Sequence, residues 1–355
     1  MKYGEEIPQR GGFPLGYGLC GSCAVSRAPI RVANVQEDPR YVRFRHPEVE
    51  IRSELAVPLL FKDQLIGVLD LESTEYDSFT EEQEQMVSAL ASHIATALVN
   101  ARLFERVQRD EQRMERDLAT ARETQRGLLP TAGLPRVRGL DIGAAYAPAR
   151  ELGGDFYDFL DYGGGRMAVA VGDVAGKSTP AALLAAMAVG LLRAHVVERV
   201  GEPAAMLADL NEHLRAFGQP NRFVAMAFAV YDERSRALKI SNAGLPRILM
   251  ATREGTSELP PVGLPLGMFH GIEYDEITLQ ARAGDVVVFC SDGLLECENP
   301  NGEAFGARRL RGLLGDLRER TAQEIADELN RATVRFAGDG SRQHDDHTVV
   351  ALKFV

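Results

Sequence analysis

At 355 residues the chain has room for two domains, each with its own core. A net charge of -11 argues against a nucleic-acid groove, which needs a clustered basic face. Four cysteines with no basic-then-apolar signal segment point to a reduced, cytoplasmic setting, and no apolar run approaches the roughly 18–20 residues of a membrane span.

Residues 1–79 read as short strands and turns. Met1 to Gly18 is rich in glycine and proline and carries little periodicity. Arg52–Leu59 and Gln64–Leu71 read as two strands joined by a Lys62-Asp63 turn. A helix opens at Thr80, whose side chain caps while Gln83 returns the bond, a capping box. The spacing of Cys20-Gly21-Ser22-Cys23 fits a redox pair or half a metal site. No second Cys/His pair lies nearby, so two small residues packed at the start of a short helix is the better reading. Pro29–Arg40, Arg52–Pro58, Leu65–Leu71 and the helix that follows resemble the C-terminal two-thirds of a GAF domain, over about Gly11 to Glu105. That family opens with a helix and two strands that would precede Met1. The resemblance therefore implies a partial sensor domain with an exposed or borrowed sheet edge.

From Thr80 to Leu129 there is no proline and one glycine, Gly127. This allows a helix about 75 Å long at 1.5 Å per residue. Leu103, Val107, Asp110 and Met114 form a heptad seam, and Leu118, Ala121, Gln125 and Leu128 form a second. The step from Met114 to Leu118 is a four-residue stutter that shifts the supercoil phase. Asp110 and Gln125 weaken the seam. A parallel dimeric coiled coil linking two domains is expected, the alternative being a helix laid on its own domain. Pro130 ends it.

Beyond the linker, Met167–Val171 reads as a strand running into the turn Gly172-Asp173-Val174-Ala175-Gly176. A helix over 180–198 follows, with Pro180 near its first turn, then a helix around Ala204–Ala216. The strands Phe223–Tyr231, Ala237–Asn242 and Arg247–Ala251 come next, and Ala283–Gly293 is a buried strand ending in the acidic turn Ser291-Asp292-Gly293. Asp345 and Asp346 stand directly before the last strand. Any one such aspartate is most simply a turn former. Asp155, Asp173, Asp292 and Asp345 together, each beside glycine or another acid at a strand end, are what a two-cation site requires.

Leu152-Gly153-Gly154-Asp155-Phe156-Tyr157-Asp158, Gly172-Asp173-Val174-Ala175-Gly176-Lys177, Ser291-Asp292-Gly293-Leu294-Leu295-Glu296 and Asp345-Asp346-His347-Thr348 resemble the motifs of the stage II sporulation protein E branch of metal-dependent (PPM, protein phosphatase 2C-like) phosphatases, from about Leu128 to Val355. The resemblance implies two stacked antiparallel sheets flanked by helices and a binuclear Mn2+ or Mg2+ site. Asp173 would bridge both ions, Asp155 and the Val174 carbonyl would complete one, and Asp292 and Asp345 would hold the other. The implied reaction is hydrolysis of phosphoserine or phosphothreonine by metal-activated water. Its implied substrate is an anti-sigma-factor antagonist or a similar small phosphoprotein. Arg150 is a candidate for the substrate phosphate, with a solvated surface arginine as the alternative. Cys290 and Cys297 read as core residues. The chain departs from the family at Ser178, where glycine is usual, at Leu245 in place of histidine, and at Ala225 in place of threonine.

Two rivals remain. Gly153-Gly154-Asp155-Phe156 resembles the turn of diguanylate cyclases but lacks their glutamate, and it would leave three acidic motifs without a role. A catalytically weak regulator that binds a partner through the same fold is disfavoured by the presence of all four acids. The expected class is α+β. A partial GAF domain occupies 1–79, a coiled-coil linker helix 80–129 and an α-β-β-α phosphatase sandwich 130–355.

Overall fold

The structure is a computed structural model that describes residues 14–42, 49–130, 133–177, 179–195, 202–217, 222–260, 262–338 and 345–355. Ser178 lies outside them. The chain divides into two compact units, Met1–Met114 and Glu115–Val355.

In the first unit helix α1 (Gly18–Ser26) precedes strands β1 (Ile30–Val32), β2 (Ser53–Phe61) and β3 (Gln64–Ser73), and helix α2 (Glu81–Arg126) follows. The sheet order is β1-β2-β3, all antiparallel, which leaves β1 and β3 as edges among the described residues. The β2–β3 hairpin closes at Lys62 and Asp63, both at positive φ (44° and 61°), the twist that suits a two-residue turn. Leu55, Val57 and Leu59 occupy alternate positions on β2 and bury one face against Ala91 and Ala95 of α2. Each leucine or valine so covered contributes about 1.5–3 kcal/mol, and the two alanines let the helix approach the sheet. The capping box forms: Thr80 N donates to Gln83 Oε1 (2.8 Å) and Gln83 N to Thr80 Oγ1 (3.3 Å).

Two expectations need correction. The helix stops at Arg126 because Leu128 N and Leu129 N bond back to Gln125 O and Arg126 O in tight turns, so Leu128 is not on a helical seam. In addition, one 18-residue window of α2 has a mean hydropathy of 1.3, long and apolar enough to cross a membrane by length and composition; 11% of it is buried.

The second unit contains β4 (Leu140–Ala147), β5 (Phe156–Gly163), β6 (Arg166–Val174), α3 (Thr179–His195), α4 (Pro203–Ala216), β7 (Val224–Asp232), β8 (Ala237–Ala243), β9 (Leu249–Thr252), β10 (Gly255–Glu258), β11 (Ile277–Gln280), β12 (Val286–Cys290), α5 (Asp292–Glu296), α6 (Gly306–Leu317), α7 (Ala322–Ala337) and β13 (His347–Phe354). Two five-stranded antiparallel sheets form, ordered β10-β9-β12-β13-β4 and β11-β8-β7-β6-β5. The period of two along β6 sorts its side chains. Met167, Val169 and Val171 enter the core between the sheets, while Ala168 and Ala170 face α3 and α4. A third core joins β12 and β13 to α6 and α7. The layers are thus α-β-β-α. α3 continues through Gly190, whose cost of about 1 kcal/mol relative to alanine does not end the helix. Gly172 lies opposite Phe156 across β5 and β6, and a Cβ there would collide with the Phe156 ring. That close approach explains the glycine before Asp173.

Candidate active site

The strand registers bring the acids to one end of the sandwich. Phe156 pairs with Gly172, which sets Asp155, just before β5, beside Asp173 near the end of β6. Cys290 pairs with Val349, so Asp292 at the start of α5 and Asp345 before β13 leave the second sheet together. A Cβ on Gly293 would collide with Asp346 O and stand 3.1 Å from Asp345 Cβ, so only glycine lets these loops meet. A Cβ on Gly154 would stand 2.9 Å from Val174 O and 3.6 Å from Asp173 Oδ1, which places the Val174 carbonyl at the same locus.

The two sheets are tied across the site by hydroxyls and by Asp346. Thr348 Oγ1 donates to Asp155 Oδ2 at 2.6 Å. Ser291 Oγ donates to Asp346 O (3.2 Å) and accepts from Thr348 N (3.0 Å). Asp346 Oδ1 accepts from Ala149 N (2.8 Å), and its Oδ2 from Gly154 N (2.6 Å) and Asp155 N (3.3 Å). This buried carboxylate therefore holds the backbone that carries Asp155. Lys177 Nζ pairs with Asp345 Oδ2 at 2.8 Å.

Electrostatics at the site are those of crowded like charges. Burial pushes the Asp155 carboxyl well up, and the charges of Asp173 and Asp346 add to it. Asp173 is raised by burial, with Asp345 and Asp346 contributing and the hydrogen bond with Asp155 opposing. Asp292 is pushed up to about 7, first by burial and then by Asp173 and Asp345. An all-oxygen donor set of this kind, partly buried and mutually repelling, fits hard divalent cations such as Mg2+ or Mn2+.

Among the other expected residues, Arg150 is exposed and donates through Nη1 to Lys177 O at 3.1 Å, so it stands at the rim beside the Asp173 turn. Ala225 is the cross-strand partner of Asp173. Leu245 is fully buried in the core between the sheets, its backbone N and O held by the Asn242 amide at 2.9 and 3.1 Å. The departure from histidine at this position therefore places an apolar side chain in the core. Cys290 is buried, and the Cys297 thiol donates to Thr333 O at 3.5 Å.

Three features escaped the sequence reading. Asp346 has no role visible in the sequence beyond standing beside Asp345; its place directly before an apolar strand is the available signal. Gln125 weakens the seam as a polar residue, yet its Nε2 donates to Gly153 O (2.7 Å) and its Oε1 accepts from Gly153 N (3.1 Å). The last part of the seam is thus engaged by the phosphatase unit, and this corrects the expectation that Gln125 and Leu128 face a coiled-coil partner. Leu128 lines a small cavity of about 20 Å³ with Gln125, Asp155 and Val189. In the first unit, Cys23 packs in the core and donates to Ala56 O at 3.5 Å, as expected of a small buried residue. The Cys20 sulfur instead lies with the Glu54 and Asp70 carboxylates, all within 4.8 Å of one another.

Comparison with known proteins agrees with this fold. The model of the stage II sporulation protein E family matches residues 163–355, and a GAF-domain model matches residues 2–99. The phosphoserine phosphatase RsbU of Bacillus subtilis is 28% identical over 246 residues, which cover 68% of this chain and 71% of RsbU. The PP2C domain of SiaA from Pseudomonas aeruginosa superposes with a TM-score of 0.61 at 24% identity, over 69% of this chain and 99% of that domain. A Mycobacterium tuberculosis structure containing RsbU and RsbW domains gives a TM-score of 0.53 at 25% identity, over 62% of this chain and 61% of that one. The chain belongs to the stage II sporulation protein E family of PP2C-type phosphatases and carries a GAF domain ahead of its phosphatase domain.

Proposed function

We propose that the chain is a Mn2+- or Mg2+-dependent phosphatase that removes phosphate from a phosphoserine on a small regulatory protein, an anti-sigma-factor antagonist or one of similar kind. The observation that carries this reading is the meeting of Asp155, Asp173 and Asp292 at one end of the sandwich, their carboxyls raised by burial and by the charges of their neighbours, Asp345 among them. In this reading Asp173 would be shared by two ions, Asp155 and the Val174 carbonyl would complete one, and Asp292 and Asp345 would hold the other. When bound, the ions supply an activated water and neutralise phosphoryl oxygens. The chain's own part is positional. Thr348 fixes the Asp155 carboxylate, and Asp346 fixes the backbone on either side of Gly154. Arg150 is the proposed contact for the substrate phosphate.

The name of RsbU, a phosphoserine phosphatase, supports the substrate class. Regulation is proposed to pass from the GAF domain through α2, with two chains paired in parallel along it in the cytoplasm. Exposed Leu103, Val107 and Met114 on α2 support that pairing. The test is manganese-dependent dephosphorylation of the phosphorylated antagonist proteins of the same genome. Release of phosphate from one of them, abolished by chelation, is the expected result. Hydrolysis of none, with folded protein and metal present, contradicts the reading in favour of a binding-only regulator.

A further inference from the structure

The segment between β10 and β11 pairs with the first residue of β7, whose other neighbour, β6, carries Asp173. Leu266 exchanges backbone bonds with Val224 (3.0 and 2.8 Å), and Val224 pairs on its other side with Val174, the residue after Asp173. Leu266 is therefore two strand spacings from that turn, about 10 Å. Immediately beyond it, the loop 267–271 is pinned to α4. Asn211, fully buried, accepts from Gly267 N (2.8 Å) and donates to Phe269 O (2.9 Å). Glu212 accepts from Gly271 N (2.9 Å) and contacts His270 Nδ1 (2.8 Å). Gly267 takes φ 87°, and a Cβ there would stand 3.6 Å from Leu214 Cβ.

A loop held this firmly nevertheless gives its large apolar side chains to solvent. Met268 is 44% exposed, Phe269 51% and Leu264 50%; Phe217, three residues past Leu214 at the end of α4, is 55% exposed. Surface loops ordinarily end in small polar residues, whereas Met and Phe are enriched where partners meet. Covering each such side chain is worth about 1.5–3 kcal/mol.

We propose that Leu264, Met268, Phe269 and Phe217 form the docking surface for the phosphoprotein substrate. The partner is a folded protein with an apolar patch next to its phosphoserine. This rests on the function proposed above. The occupant follows from position, because the loop departs at Leu266, about 10 Å from the Val174 turn, within the footprint of a protein whose phosphoserine reaches Asp173. The aromatic and thioether groups supply affinity, and the acids and metals supply the chemistry.

The test uses the full chain with Met268→Ser and Phe269→Ser combined, and separately Phe217→Ser on a different element. Binding of the phosphorylated antagonist proteins is measured as Kd, and turnover of p-nitrophenyl phosphate in manganese is measured alongside. The expected result is a Kd weakened by about tenfold or more in the double variant, with the same direction for Phe217→Ser, while aryl phosphate turnover stays within about twofold of wild type. Unchanged Kd in both variants overturns the proposal, as does failure of the wild type to bind any of these proteins. A change in self-association without a change in Kd also overturns it, by assigning the patch to a second copy of the chain. Absence of aryl phosphate turnover in the wild type refutes the phosphatase reading alone, since Kd is read independently of it.

Discussion

Gln125 and Gly153 face each other as paired amides: the glutamine side chain both donates to and accepts from the backbone of the glycine two residues before Asp155. The last turn of α2 is thereby bonded to the loop that presents a site carboxylate. The Gly153 side of that contact is as crowded as it can be, since a Cβ there would collide with Tyr146 Oη and stand 2.6 Å from Asp346 Oδ2.

Removing this clamp tests whether the helix end holds the site. Gln125→Ala leaves Gly153 N and O unpaired, at about 1–3 kcal/mol for a buried polar group left without a partner. The expected outcome is a fall of about tenfold or more in kcat for p-nitrophenyl phosphate, with an intermediate value for Gln125→Glu, which keeps the acceptor and loses the donor. Circular dichroism of the variants separates this from unfolding.

Asp346 should behave as a positioning residue. Asp346→Ala strips acceptors from Ala149 N, Gly154 N and Asp155 N. A loss of about 1–3 kcal/mol of stability is expected, read as a lowered thermal midpoint. Half-saturation by Mn2+ should also shift to higher concentration, whereas a purely structural role would leave the metal dependence unchanged.

The sandwich was legible in the sequence because strand periodicity and strand-end acids are local signals. Met167–Val171 alternates, and the glycines of Gly172-Asp173 and Asp292-Gly293 mark places where Phe156 and the Asp346 carbonyl press against the backbone. The helix end at Arg126 and the service of Gln125 were not legible, since both depend on Gly153 and its neighbours folding against that turn. A polar residue on a heptad seam looks the same whether it faces a partner helix or a backbone amide. Leu245 shows the limit of a motif departure read alone: its consequence depends on the core it enters. Cys20 likewise gave no hint of Glu54 and Asp70, which reach it from β2 and β3.

In the first unit Glu54 stands directly opposite Glu72, with Asp70 nearby on the same strand as Glu72. Burial first, then the charge of Asp70, pushes the Glu54 carboxyl up to about 9. The folded state thus retains a proton that the unfolded state releases near 4.3. The stabilising contribution is complete below about 4.3 and is lost as pH rises through about 9. Glu54→Gln, neutral at every pH, should raise the thermal midpoint by about 2–5 °C at pH 8 and by less at pH 5. Equal shifts at both pH values would contradict the assignment.

The stutter between Met114 and Leu118 predicts two discrete linker arrangements in a parallel dimer, only one of them competent. Deleting Glu115-Arg116-Asp117-Leu118 brings Ala121 into phase with Leu103, Val107, Asp110 and Met114. Sedimentation should show a tighter dimer, and basal activity should be locked high or low with the metal requirement unchanged. Wild-type dimerisation and activity in the deletion would reduce the linker to a spacer.

The most direct measurement is hydrolysis of p-nitrophenyl phosphate by the full chain in manganese, wild type against Asp173→Asn. Asp173 stands opposite Ala225 at the end of β6, beside Asp155 and the Val174 carbonyl, the place where a bridging carboxylate is proposed. The account predicts manganese-dependent turnover in the wild type, and a loss of about a thousandfold or more in a variant that unfolds with a normal transition and binds less manganese. Turnover like the wild type in Asp173→Asn would contradict it.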